Sequence, residues 1–105
     1  MLPEPVRAKS KYFRIVTEPK GGPEVILIGA AWQEQLLSRA MLILNVQGTV
    51  GRLVVLNEGV RLDCLPEEEQ GKILTPGIPV LNLCGDPESD ADTIARRALR
   101  CIQGD

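Results

Sequence analysis

The sequence predicts an α+β domain: a mostly antiparallel β-sheet of five to six strands with a C-terminal amphipathic helix packed on it. Three observations predict this. Short runs of Val, Ile and Leu recur up to Cys84, separated by Gly- and Pro-containing turns, as strands in a sheet are. Beyond Cys84 the apolar residues change to three- and four-residue steps, the period of a helix. The length, 105 residues, fits one domain.

Residues 1–9 carry Pro3 and Pro5 and little hydrophobicity, and read as a mobile tail ahead of a single domain over 10–105. Tyr12, Phe13, Ile15, Val16 and Thr17 make a first strand. Pro19-Lys20-Gly21-Gly22-Pro23 is a turn, and Val25, Ile26, Leu27 and Ile28 form a second strand, so the pair reads as a hairpin. Residues 30–37 fit either a short helix, given Gln33-Glu34-Gln35, or a polar connection between strands; the strand-turn-strand reading is preferred because 40–46 resumes a β-type run. Gln47-Gly48-Thr49-Val50-Gly51 is the next turn and 52–56 the next strand, ended by Asn57-Glu58-Gly59. Residues 66–76 read as an exposed acidic loop. Residues 78–84 form a last strand, whose Pro79 suggests an edge position or the strand's first residues.

The C-terminal helix is the clearest element. Asp86 is placed as its N-cap and Pro87 as its first residue, with Glu88, Asp90 and Asp92 adding acid near the positive end of the dipole. Ala91, Ile94, Ala95, Ala98, Leu99 and Ile102 form one apolar stripe. Arg96, Arg97 and Arg100 lie towards the C-terminal end, and Gly104 is placed to stop the helix.

Composition narrows the function. With one Trp, one Tyr and one Phe, the core must be built from Leu, Ile, Val and Ala, and a partner that buries more apolar surface would stabilise it. Twelve basic against 14 acidic residues, net charge −2, argue against nucleic-acid binding, which rests on Lys and Arg neutralising phosphates. The apolar runs are short of the roughly 20 residues that span a bilayer, and the N-terminus has no signal-peptide pattern. Cys64, Cys84 and Cys101, an odd count at wide spacing, read as reduced thiols, which points to the cytoplasm and also the nucleus.

Catalytic chemistry is sparse. The chain has no histidine, which removes the commonest general base, the commonest metal ligand and every Ser-His or Cys-His pair. The carboxylates gather in Glu67-Glu68-Glu69 and at the start of the C-terminal helix, where a solvated loop and dipole stabilisation account for them. Gly21-Gly22-Pro23 and Gly85-Asp86 match no phosphate-binding fingerprint. Cys84, just before a helix N-terminus, is the one candidate nucleophile, set against a structural reading as a buried thiol. Trp32 is either a core residue or an interface anchor. No catalytic residue, cofactor, metal or small-molecule substrate is expected.

The run Gly77-Ile78-Pro79-Val80-Leu81-Asn82-Leu83-Cys84-Gly85-Asp86, followed by Asp92-Thr93-Ile94-Ala95-Arg96-Arg97-Ala98, resembles the small proteasome assembly chaperones, the third and fourth of that set. Trp32-Gln33-Glu34-Gln35-Leu36-Leu37 looks like a Trp-Glu-Gln-Leu stretch of the fourth, and the segment 40–56 is similar to the paired strands of both. The resemblance spans about 11–103. It implies a non-catalytic chaperone that heterodimerises with a sister assembly chaperone and binds proteasome α subunits while the 20S ring forms. Those family members continue with a further strand, whereas this sequence ends at Asp105, so a shorter sheet or a strand supplied by a partner is expected. The expected partner-binding residues are Trp32, Glu67, Glu68, Glu69, Arg96, Arg97 and Arg100, the charged ones through electrostatic steering. The alternative is an adaptor subunit, structural or regulatory, of an unrelated complex.

Overall fold

The computed structural model describes residues 11–104, so the tail expected over 1–9 lies outside the described residues. In chain order the elements are β1 (Phe13–Thr17), β2 (Val25–Ala30), α1 (Glu34–Val46), β3 (Gly51–Leu56), α2 (Glu67–Ile73), β4 (Val80–Asn82) and α3 (Ala91–Gln103). Short 3-10 turns at Ala31–Gln33 and Leu62–Cys64 follow β2 and β3.

The four strands form one mixed sheet in the order β1-β3-β2-β4. Only β1 and β3 are antiparallel; β2 runs parallel to both β3 and β4. This corrects the expected mostly antiparallel sheet of five to six strands. The first two strands do not form a hairpin either, because β1 pairs with β3. The physical reason lies in which strands are covered on both faces. Val25, Leu27 and Leu53 point to one side, against Leu37, Ala40, Met41 and Leu44 of α1 and Ile94, Ala95 and Ala98 of α3. Ile26, Ile28, Val54 and Leu56 point to the other, against Phe13, Leu65 and Ile73. A strand buried on both faces reads as a continuous apolar run, the mark of a parallel sheet flanked by helices. Val25-Ile26-Leu27-Ile28 and Leu53-Val54-Val55-Leu56 are such runs.

α1 replaces the strand expected over 40–46. Leu37, Ala40, Met41 and Leu44 recur at steps of three and four and are all buried, so one helical stripe covers the sheet. The helix stops where Gly48 takes φ +87° and the Thr49 N–H reaches back 2.9 Å to the Leu44 carbonyl. α2 replaces part of the loop expected over 66–76. It opens after Pro66 with Glu67, Glu68 and Glu69 in its first turn, where the dipole favours carboxylates.

β4 is an edge strand, one of the two placements that Pro79 suggests, and the Pro79 carbonyl, just ahead of the strand, accepts the Ile26 N–H at 2.9 Å. α3 and its stop at Gly104 (φ +83°) stand as predicted, but the N-cap is Asp90, whose carboxylate accepts the Thr93 N–H at 3.2 Å and its hydroxyl at 2.8 Å. Asp86 instead closes a turn ahead of the helix by accepting the Glu88 N–H at 3.0 Å.

Gly29 is required by packing. A Cβ there would collide with Leu37 Cδ1 and lie 3.1 Å from Gln33 Oε1, so its absence lets the start of α1 lie close on β2.

Candidate functional site at the carboxyl end of the sheet

β2 and β3 lie side by side and end level with each other, Ala30 paired with Leu56. Beyond that level they part. β2 turns into α1, on one face of the sheet, and β3 turns towards Leu65 and α2, on the other. Neighbouring parallel strands whose connections leave to opposite faces open a crevice at their carboxyl ends, the usual ligand position in sheets of this kind. Here the crevice has a volume of about 500 Å³ and is walled by Ala30, Ala31, Leu56 and Val60, with Trp32, Glu58 and Cys84 around it. A second hollow of about 700 Å³ adjoins it through Val60 and Cys84 and extends over Arg61, Asp63 and Gln70.

Each of these side chains is held by local structure. Gln33, 1% exposed, locks the end of β2 to the end of β4: its Oε1 accepts the Ala30 N–H at 2.7 Å and its Nε2 donates to the Leu83 carbonyl at 2.7 Å. This clamp fixes the turn on which Trp32 stands, and Trp32 is 73% exposed. A tryptophan that exposed is unusual unless it meets something else. Of the two readings of Trp32, core residue and interface anchor, the first is excluded.

On the β3 side, Asn57 holds the incoming chain: its Nδ2 donates to the Lys11 carbonyl at 2.7 Å and its backbone N–H to the Tyr12 carbonyl at 2.9 Å. The turn Asn57-Glu58-Gly59-Val60 closes through the Val60 N–H on the Asn57 carbonyl at 3.0 Å, with Gly59 at φ +82°, the conformation for which glycine is selected at that turn position. The turn sets Glu58 at the crevice.

Cys84 is half-buried, and that burial pushes its thiol above the ordinary range, the opposite of an activated nucleophile. Cys84 is therefore expected to alkylate more slowly at neutral pH than the exposed Cys64. Peptide-resolved mass spectrometry with iodoacetamide measures both, and faster labelling of Cys84 would contradict the assignment. A thiol whose folded pKa is raised contributes stability below its unfolded value of about 8.5 and loses it as pH climbs through the folded value, so stability should decline on the alkaline side.

The remaining residues expected to bind a partner lie apart from the crevice and from one another. Glu67, Glu68 and Glu69 sit at the start of α2, where Glu69 pairs with Lys72 at 3.4 Å. Arg96 and Arg100 are exposed on α3, across the sheet from α2. Arg97 is used internally: it pairs with Asp86 at 3.0 Å and, as that carboxylate's main partner, holds it below its usual range, helped by the Glu88 N–H. Sequence reasoning missed Gln33 as a clamp and Glu58 as part of the site; the Asn57-Glu58-Gly59 turn after a strongly apolar strand was the available signal. Among the described residues no group of three or more His, Cys, Asp or Glu side chains can hold a metal ion, and no helix is long and apolar enough to cross a membrane.

No family model and no curated protein matches the chain. Solved structures of transketolase from Pichia stipitis do share its fold. A variant of that enzyme superposes with a TM-score of 0.73 at 16% identity. A variant in complex with fructose 6-phosphate gives 0.71 at 17% identity, and a complex with sedoheptulose 7-phosphate gives 0.66 at 18% identity. Each alignment covers 89% of this chain and 18% of the transketolase chain, so this chain spans about a fifth of those proteins. At such identity the likeness is one of fold.

Proposed function

We propose that this chain is a non-catalytic binding module that takes a protein partner at the carboxyl-end crevice, with Trp32 as the anchor. The observation that carries this reading is a tryptophan 73% exposed on a rigidly clamped turn beside an apolar-walled hollow. Tryptophan is the side chain most enriched among residues that dominate interface energy, and a fixed anchor loses little entropy on binding. The burial-raised Cys84 thiol supports the same reading, since burial of the one candidate nucleophile in the crevice works against the thiolate that attack requires.

The test compares proteins captured by the wild-type chain with those captured by Trp32→Ala, using Lys20→Ala, exposed in the turn between β1 and β2, as a surface control. The reading expects at least one specific partner to weaken tenfold or more with Trp32→Ala only, while the melting temperature stays unchanged because the side chain packs on little. A partner set indifferent to Trp32→Ala overturns it. Proteasome α subunits and a sister chaperone within the Trp32-dependent set would identify the partner that the sequence resemblance implies; other proteins there would favour the adaptor alternative.

A further inference from the structure

We propose that residues 60–76 form a hinged cover that opens as a unit over one face of the sheet, with Arg52 as its latch. The two faces are covered unequally. On one lie α1 and α3, 13 residues each, which bury four and three side chains respectively. On the other, Ile26, Ile28, Val54 and Leu56 lie beneath a connection whose only buried residues are Leu65 and Ile73. Its one helix, α2, has seven residues, short of the roughly 12–15 at which a helix begins to hold by itself, so α2 depends on being docked. Segments held by few buried contacts open at a lower free energy than the whole domain.

Local bonds keep the cover together as it moves. The Cys64 N–H meets the Arg61 carbonyl at 3.0 Å, the Leu65 N–H the Leu62 carbonyl at 3.2 Å, and Gln70 Nε2 the Leu65 carbonyl at 3.0 Å. Gly59 and Gly77 flank it at φ +82° and +85°, each in open space, and so supply a joint at either end. Towards β4 the cover is loosely seated: Val60, Leu62, Gln70 and Leu74 face Asn82 and Cys84 across the hollow of about 700 Å³. Towards β1 it is fastened. Arg52 points to the same face as Val54, two residues on, and holds the Ile73 carbonyl at 2.6 Å and the Thr75 hydroxyl at 3.1 Å. Opening breaks these two bonds and uncovers the apolar face, which keeps the open state a minor one.

The same substitution on the two faces reads them separately, since Val54 lies on the covered face and Val25 beneath the helices, both 0% exposed. The full chain carrying Val54→Cys or Val25→Cys is labelled with dilute iodoacetamide at rising urea below the unfolding transition. Peptide-resolved mass spectrometry follows the new thiol, and at low reagent its rate tracks the open population. Each rate is scaled by that variant's own global stability from urea unfolding, so unequal destabilisation does not imitate the result. Val54→Cys should label about tenfold or more faster than Val25→Cys, with less than about half its urea slope, because a cover exposes less surface than the whole domain. Adding Arg52→Met should raise the Val54→Cys rate about tenfold or more. Equal scaled rates, equal slopes, or a Val54→Cys rate indifferent to Arg52→Met overturns the proposal. None of these results touches the partner loss expected for Trp32→Ala, so the cover and the docking site fail separately.

Discussion

Replacing Gln33 by Ala is expected to lower the free energy of unfolding by about 3 kcal/mol, one of the two largest losses available to a single polar side chain in this protein. Two groups lose their partners at once, the Ala30 N–H and the Leu83 carbonyl, each now bonded at 2.7 Å. An orphaned buried polar group costs about 1–3 kcal/mol, and the Gln33 side chain is itself enclosed, so water cannot readily take its place. In a domain of this size the loss corresponds to a fall of roughly 10–20 °C in melting temperature. Thermal unfolding followed by circular dichroism measures it. The effect should reach Trp32 as well, because the clamp fixes the turn that carries it. The fluorescence of the sole tryptophan in Gln33→Ala should shift below the melting transition, while a core truncation elsewhere should leave it unmoved. A melting temperature within a few degrees of wild type would show that the clamp bears little of the load.

Much of the element order was legible in the sequence, and the largest failures, in strand pairing and in α1, share one cause. All four strands of the sheet were located, as were the final helix with its Gly104 stop and the edge position of β4. What failed was their partnering and what lies between them. Val25-Ile26-Leu27-Ile28 is apolar on every residue, which reads as generic β-propensity until one asks what covers both faces. Two covered faces require helices between the strands, and that requirement would have turned 40–46 into a helix. Its β-like look comes from Leu42, Ile43 and Val46, of which Leu42 and Val46 are exposed, so they mask the buried stripe of Leu37, Ala40, Met41 and Leu44. The acidic run Glu67-Glu68-Glu69 was read as solvated loop although acids suit a helix start as well. The N-cap was misplaced because Asp86 and Asp90 each fit; which one caps is decided by Arg97, eleven residues on, drawing Asp86 into its own pair.

The site was half legible for a related reason. Trp32 could be singled out by type alone, since an only tryptophan is either core or anchor. Glu58 could not, because its meaning depends on β2 and β3 being neighbours, a contact between segments more than 20 residues apart. Charged residues chosen by clustering, Glu67–Glu69 and Arg96/Arg97/Arg100, proved to lie on separate helices across the sheet from each other. Chain proximity said nothing of convergence; topology did.

Arg52→Met is expected to cost about 2–3 kcal/mol, although the substitution keeps most of the side chain's length and apolar volume. Arg52 stands on β3 with its side chain 11% exposed, and it closes three things together. Its Nη1 donates to the Ile73 carbonyl at 2.6 Å, satisfying the C-terminal end of α2, and to the Thr75 hydroxyl at 3.1 Å. Its Nε and Nη2 grip Glu18, just past β1, at 2.6 and 3.2 Å. The Glu18 arm is half-open to solvent and contributes under about 1 kcal/mol. Most of the loss should therefore come from the Ile73 carbonyl, an acceptor at a helix end that loses a charged donor. This division has a measurable consequence. Glu18→Gln should lose under about 1 kcal/mol and become insensitive to salt, whereas Arg52→Met should lose its larger share at any ionic strength. Arg52→Lys should not rescue, because an ammonium cannot reach Ile73, Thr75 and Glu18 in one planar fork. Denaturant unfolding of the three variants at low and high salt separates the arms. If Glu18→Gln cost as much as Arg52→Met, the ion pair, and not the capped helix end, would be what joins α2 to the sheet.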